Sequence, residues 1–251
     1  GERQITASEC DRVRVLVARR ANREPLQYLL GKQEFYGRDF FVTPSVLIPR
    51  PESALLVDEA VRRCAQTSGA TLVDVGTGSG CLAVSVALAL PTARILAIDA
   101  SSDALEVARA NMAHHGLGAR IAWFHGDLLA PIAKEGLVNQ VQVILSNPPY
   151  IADDDVATLQ PEVSVFEPRL ALAGGRDGMD VHRLLIEQAP AYLKPGGVLL
   201  MEVGCGQAAA VCRQAEKSGQ FHTYAVLQDE SGIDRVVCFE KKEVSSWPSA
   251  R

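Results

Sequence analysis

The chain is 251 residues long, 47% apolar and 22% charged, the balance of a folded globular protein. That length allows one large domain, or one domain with an appendage, and the composition excludes a disordered, collagen-like or coiled-coil chain. Twenty-five basic against thirty acidic residues give a net charge of −5, which speaks against bulk electrostatic binding to nucleic acid or an anionic membrane. The six cysteines form no C-x-x-C pair and do not cluster with the five histidines. Neither a metal site nor a disulfide framework is therefore expected, and reduced thiols suit a cytoplasmic protein, or an organellar matrix if the source is a eukaryote. The polar N-terminus is not a signal peptide. The longest apolar stretch, Cys81 to Leu90, is about half the ~20 residues that span a bilayer. The chain starts at Gly1 rather than Met, as a trimmed chain or fragment would.

Thr6-Ala7-Ser8-Glu9 has capping-box spacing, with Val13, Leu16 and Val17 following at helical intervals. The other face of that helix carries Arg12, Arg14, Arg19, Arg20 and Arg23, read as a solvated face before a contact for an acidic partner or RNA. Phe40 to Pro49 predicts a short hairpin turning at Thr43-Pro44-Ser45, and residues 52–65 a helix. From Thr71 strands and helices alternate. Strands are expected at Leu72–Val75, Arg94–Ile98, Ile121–Phe124, Val141–Leu145 and Val198–Val203. Helices are expected at Cys81–Leu90, Ser102–His115, Val181–Leu193 and Gln207–Ser218, with Pro190 distorting the third. Lys194–Gly197 reads as a turn, and Phe221–Leu227 and Arg235–Phe239 as a closing hairpin. The fold class is α/β: a doubly wound, mostly parallel seven-stranded sheet with a C-terminal antiparallel hairpin, preceded by a short helix and a β-hairpin lead-in.

In open α/β sheets ligands bind at the carboxyl ends of the strands, and four such ends are marked here. The first carries Asp74-Val75-Gly76-Thr77-Gly78-Ser79-Gly80. Glycines allow a tight turn and close backbone approach, and the following helix points its N-terminus at the site. The spacing is G-x-G-x-G, not the dinucleotide G-x-G-x-x-G. Asp74 beside it would repel a pyrophosphate and suit a ligand with a cationic part. Asp99, at the next strand end, can accept both hydroxyls of a ribose, with a helix N-cap as the plain alternative. Asp127 and Leu128, after the third strand, can read an adenine edge and pack on its ring, with an ordinary turn as the alternative. In this order these features favour S-adenosylmethionine over NAD.

The fourth strand ends in Ser146-Asn147-Pro148-Pro149-Tyr150. Prolines stiffen the backbone and lack N–H donors, so their carbonyls are free to accept. Asn147 adds an acceptor and a donor, and Tyr150 a ring face. A planar sp² nitrogen is a poor nucleophile because its lone pair is delocalised. Two acceptors holding its two N–H groups would orient it and let charge build as a methyl arrives.

These residues, with Asp74–Gly80 and Ala97-Ile98-Asp99-Ala100-Ser101 upstream, resemble methyltransferases that act on planar nitrogens. Pro25–Gly31, Glu34–Gly37, Leu47–Glu52 and Phe166–Leu172 with Gly174-Gly175 narrow the resemblance to the protein-(glutamine) methyltransferases of the PrmC/HemK type, over about residues 24–240. The resemblance implies a Rossmann-like methyltransferase that methylates the glutamine amide in the GGQ loop of peptide chain release factors and releases S-adenosylhomocysteine. Gly76, Thr77, Gly78, Ser79 and Gly80, with Asp74 beside them, would cradle the cofactor's amino-acid part. Asp99 would hold the ribose, and Asp127 and Leu128 would frame the adenine. The Asn147 side chain and the Pro148 carbonyl would accept the two amide N–H groups, with Asn147 also beside the cofactor. Pro149 and Tyr150 would pack on the substrate, and Phe35 and Arg50 would line the same pocket.

The implied organisation is a remnant of an N-terminal helical domain at 1–24, a linker with hairpin and helix at 25–69, the methyltransferase domain at 70–242, and a flexible tail at 243–251. Two departures stand out. The family usually has Thr and Glu after R-P-E, where Ser53 and Ala54 stand here, so the role of that Glu is absent or supplied elsewhere. The short N-terminal part predicts good cofactor binding with weaker recognition of a release factor. The alternatives are a ribosomal-protein glutamine methyltransferase and a nucleic-acid amine methyltransferase. The second is disfavoured by the acidic balance and by the absence of room for a target-recognition domain. No metal, membrane or stable nucleic-acid partner is expected.

Overall fold

A computed structural model describes residues 6–243; the predicted tail, beyond its first residue, lies outside them. Helix α1 (Ala7–Ala21) starts at the expected capping box: the Thr6 hydroxyl accepts from the Glu9 N–H at 3.2 Å, and the Glu9 carboxylate accepts from the Thr6 N–H at 2.9 Å. None of its residues is buried. Arg20 and Arg23 bind the Glu162 carboxylate at 3.0 and 2.6 Å, so part of the arginine face is an internal tie.

Helix α2 (Leu26–Leu30) leads into a hairpin of β1 (Lys32–Phe35) and β2 (Arg38–Phe41). This corrects the hairpin expected at 40–49. The turn is Tyr36-Gly37, both at positive φ (52° and 74°), the backbone pair that matches the twist of a two-residue hairpin. Thr43–Val46 does form a turn, with the Val46 N–H donating to the Thr43 carbonyl at 3.0 Å. It ends no strand: Val42, Val46 and Ile48 are buried, and the segment packs beside Tyr28 and Ala104 as an extended connection. A short 3₁₀ turn (Pro51–Ser53) opens α3 (Ala54–Cys64).

The main sheet contains β3 (Thr71–Val75), β4 (Arg94–Asp99), β5 (Ile121–His125), β6 (Val141–Ser146), β7 (Leu193–Glu202), β8 (Phe221–Gln228) and β9 (Asp234–Lys241). Helices α4 (Cys81–Ala89), α5 (Ser102–His114), α6 (Pro161–Ser164), α7 (Asp180–Tyr192) and α8 (Ala208–Lys217) lie in the connections. The order is β5-β4-β3-β6-β7-β9-β8, parallel from β5 to β7, with β9 antiparallel to both β7 and β8. Two apolar layers cover the sheet. One is built on α3 and α4, the other on α7 and α8. Cys81 to Ala87 of α4 are all buried, which is why that helix is apolar all round.

Two local readings change in detail. Lys194–Gly197 lies inside the span of β7, but pairing jumps from Val141↔Leu193 to Val143↔Val198, so these residues bulge out of the ladder. Pro190 sits inside α7, which runs on to Tyr192. Buried Lys241 donates to the carbonyls of Pro190 and Leu193 and to the Asn139 side chain, each at 2.7 Å. That ammonium satisfies carbonyls that no further helical turn can reach. Lys241→Met keeps the stem and removes these donors; a loss of about 2–3 kcal/mol is expected, read as a lower urea midpoint.

Candidate functional site

The chain winds β3, β4, β5 outward in one direction, then returns to lay β6 against the other side of β3. Val75 pairs with Ser146, so the loops after β3 and β6 leave the sheet side by side at its topological switch point. The glycine-rich loop after β3 is held from below. The N–H groups of Gly76 and Thr77 donate to the Ile98 carbonyl at 2.9 and 3.0 Å. The Thr77 hydroxyl donates to Asp74 Oδ2 at 2.6 Å, and the Ala83 N–H to the same oxygen at 3.2 Å. Gly76 and Gly78 adopt φ of 72° and 55° with no atom near an added Cβ; the turn, not crowding, requires glycine there.

Asp99 closes the loop from β4. Its Oδ2 accepts from the Gly78 N–H and its Oδ1 from the Ser101 N–H, both at 2.8 Å. The N-cap of α5 is Ser101, whose hydroxyl accepts from the Ala104 N–H at 3.1 Å. Asp99 is thus not the cap that a plain reading of the sequence allows. Beyond β5, Leu128 holds φ of 45°, an uncommon backbone for a leucine, and its side chain is buried. Asp127 is exposed.

These elements enclose a cavity of about 440 Å³, within the usual range for small-molecule sites. Gly76, Thr77, Gly78 and Ser79, Asp99, Asp127 and Leu128, and Asn147, Pro148 and Pro149 all line it, with Arg50 at its edge. Asp99, Asp103 and Asp127 make the wall acidic. Arg50 does not offset them, because its guanidinium is held by the buried Glu167 carboxylate at 2.7 and 2.9 Å. The wall therefore suits a ligand with hydroxyl donors and a positive charge.

Four expected residues are placed elsewhere. Phe35 is a core residue, 2% exposed and edge-on to Phe40 at 6.1 Å; the hairpin turn points its side of β1 into the apolar layer. Tyr150 is not on the cavity wall: its hydroxyl donates to Glu202 Oε1 at 3.4 Å, and its carbonyl accepts from Gln207 Nε2 at 2.8 Å. Gly80 starts α4 behind the loop, where an added Cβ would come within 3.0 Å of Ala108. Asp74 is fully buried and braces the loop from behind. Its Oδ1 is buried without a partner, and burial raises its pKa to about 7.

Residues 52–163 match a family model described as "Methyltransferase small domain", and residues 1–31 match "PrmC N-terminal domain". The chain is 47% identical over 236 residues to a release factor glutamine methyltransferase of Geobacter sulfurreducens, covering 94% of this chain and 80% of that one. It is 44% identical to the protein of the same name from Gloeobacter violaceus, covering 85% and 73%. The chain belongs to the release factor glutamine methyltransferase family. In agreement, the structure aligns with that of a release-factor-specific protein-(glutamine-N5) methyltransferase from Alicyclobacillus acidocaldarius, at 30% identity and a TM-score of 0.51, covering 81% of this chain and all of that one. Among the described residues no helix is long and apolar enough to cross a membrane, and no group of His, Cys, Asp and Glu could hold a metal ion.

Residues that motif reading passes over also hold the walls of this cavity in place. Asn111 is fully buried in α5. Its Nδ2 donates to the carbonyls of Ser79 and Phe41 at 2.8 and 3.0 Å, and its Oδ1 accepts from the Phe41 N–H at 2.7 Å. It ties the glycine-rich loop to the lead-in hairpin. Ser53 and Glu202 are 2% exposed and bond to each other beneath Asn147. An acid inside the apolar run Val198-Leu199-Leu200-Met201-Glu202-Val203 was the available signal for Glu202.

The raised pKa of Asp74 has a sign. The folded chain holds that proton more tightly than the unfolded chain, so stability is lost as pH rises from the ordinary carboxylate range through about 7. Asp74→Asn keeps an acceptor for Thr77 and Ala83 and removes the charge. Its melting temperature should match or exceed the wild-type value at pH 8; a marked drop there would contradict the bracing geometry.

Proposed function

We propose that this methyltransferase carries a methyl group from S-adenosylmethionine to the side-chain amide nitrogen of a glutamine in a peptide chain release factor. One observation carries the reading. Asn147 and Pro148 stand on the cavity wall directly beside the glycine-rich loop. Asn147 Nδ2 is engaged by Ser53 at 3.0 Å, which turns Oδ1 away as an acceptor for a substrate N–H. Among the described residues neither Asn147 Oδ1 nor the Pro148 carbonyl accepts a hydrogen bond. The names of the relatives and of the solved structure supply the substrate class.

Bound S-adenosylmethionine would supply an electrophilic methyl group on a sulfonium. In this reading, the backbone from Gly76 to Ser79 and the acidic wall hold its amino-acid part, with Asp74 acting from behind the loop and Gly80 by starting α4. Asp99 accepts the ribose hydroxyls, and Asp127 with Leu128 frames the adenine.

Asn147 Oδ1 and the Pro148 carbonyl then accept the two N–H groups of the glutamine amide. Fixing both protons fixes the amide plane and aims the nitrogen lone pair. The two oxygens also stabilise the positive charge that grows on nitrogen as the new bond forms. No strong base is required, because the N-methylated amide is strongly acidic until it loses a proton to solvent. Positioning and preorganised acceptors supply the catalysis.

Asn147→Ala should lose on the order of 10²–10³ in kcat, as for removal of one oriented polar group, with cofactor affinity little changed. Equal loss of binding and rate would contradict the assigned role. Asp99→Ala should weaken cofactor binding by about 10–100-fold, the worth of a charged hydrogen bond, measured by calorimetry. With labelled cofactor, label should appear on the release factor and vanish when the GGQ glutamine is replaced by alanine. Label on RNA or DNA would refute the reading.

A further inference from the structure

The geometry points to a polarity lock: we propose that Ser53 and Glu202 are positioning residues that fix which face of the Asn147 amide meets the substrate. The inference deepens the reading above and rests on it. Asn147 Nδ2 lies 3.0 Å from Ser53 Oγ, and Ser53 Oγ lies 2.5 Å from Glu202 Oε2. Glu202 Oε1 accepts from the Tyr150 hydroxyl at 3.4 Å. Ser53 and Glu202 are 2% exposed, so the bond between them is shielded from water.

Ser53 has one proton. When Glu202 is a carboxylate, it can only accept, so the Ser53 hydroxyl must donate to it. The Ser53 oxygen then has only lone pairs to offer, and Asn147 must present its NH₂. That leaves Asn147 Oδ1 for the glutamine N–H. When Glu202 is protonated, it can donate to Ser53 instead. The hydroxyl proton is then free to reach Asn147 Oδ1, and the amide can rotate by half a turn. Its NH₂ would then face the N–H groups of the substrate, donor against donor. The direction of the hydrogen-bond chain is thus set by one buried charge, and with it the acceptor that the reaction needs.

The groups around Glu202 come from every element packed on it. Ser53 and Glu52 face it from the turn before α3, Tyr150 from the segment after β6, Arg235 from β9 and Cys81 from α4. His182 of α7 binds the Glu202 backbone carbonyl at 2.8 Å, and burial pushes the pKa of its imidazole down. Burial outweighs Arg235 and the two hydroxyls, raising the Glu202 pKa to about 7. The lock therefore opens as pH falls through neutrality.

The test has a spectroscopic and a kinetic arm. In the ligand-free protein labelled with ¹⁵N-asparagine, the Asn147 side-chain NH₂ resonance is identified by its loss in Asn147→Asp. It should shift with pH near 7, and Glu202→Gln should abolish that titration. Ser53→Ala should move the resonance at all pH values. In the assay at saturating substrates, Ser53→Ala should lower kcat by about 10²-fold, the cost of a misplaced group, with the KM for the methyl donor unchanged. Ser53→Thr, which keeps the hydroxyl, should restore most of that rate. Wild-type kcat in Ser53→Ala, or an Asn147 resonance that neither Ser53→Ala nor pH moves, would overturn the proposal. The wild-type titration needs no variant to fold. If the wild-type enzyme methylates no release factor, the functional reading fails, while the resonance still decides the lock.

Discussion

Parallel pairing of β3 with β6 sets Val75 beside Ser146, so two loops from distant parts of the sequence leave the sheet at one level. The rest of the site depends on that pairing. A glycine-rich turn alone can hold a ligand's polar end, and a proline-stiffened Asn-Pro turn alone can orient an amide. Neither makes a transfer site unless donor and acceptor approach along a line. The change of winding direction at the β3–β6 pair provides this, because the connections leave those two strands toward opposite sides and open a crevice between their ends.

Both walls of the crevice are stiffened in the same way. A carboxylate lies buried behind the wall and a hydroxyl connects it to the surface: Asp74 through Thr77, and Glu202 through Ser53. Thr77 and Ser53 line the cavity, while Asp74 and Glu202 do not. Burying a charge is costly unless its lone pairs are used, and burial pushes both acids to about 7. That cost is tolerated where a loop must hold a fixed shape without help from a ligand. Asn111 and the Arg50–Glu167 pair extend the same logic outward, tying the lead-in segment to α5 and to the chain after β6.

Much of this was legible from the chain itself. The alternation after Thr71 reflects apolar strands buried on both faces, so its elements could be placed from composition and turn residues. Local competition was harder to read. Phe40, Val42 and Val46 look like a strand, but Tyr36-Gly37 offers the better hairpin turn, and the apolar residues that follow pack as a connection instead. Lys194–Gly197 reads as a turn and forms a bulge, a distinction that depends on the partner strand. Pro190 looked like a helix defect, but it stands in the last turn of α7, where its own carbonyl is capped by the Lys241 ammonium 51 residues away.

By itself the sequence determined the fold class, the strand ends that border the cavity and the acceptor groups that Asn147-Pro148 can offer. These are local properties: periodicity, turn chemistry and the donor and acceptor inventory of a short segment. Tertiary structure alone decided which marked residues meet the ligand cavity and which support it. Phe35 went to the core, Asp74 behind the loop and Tyr150 beneath the wall. It also brought Ser53 and Glu202, 149 residues apart, into one hydrogen bond. A serine hydroxyl and a carboxylate carry no mark of their partners in sequence, because the direction of a hydrogen bond is fixed only by what the other atom can give.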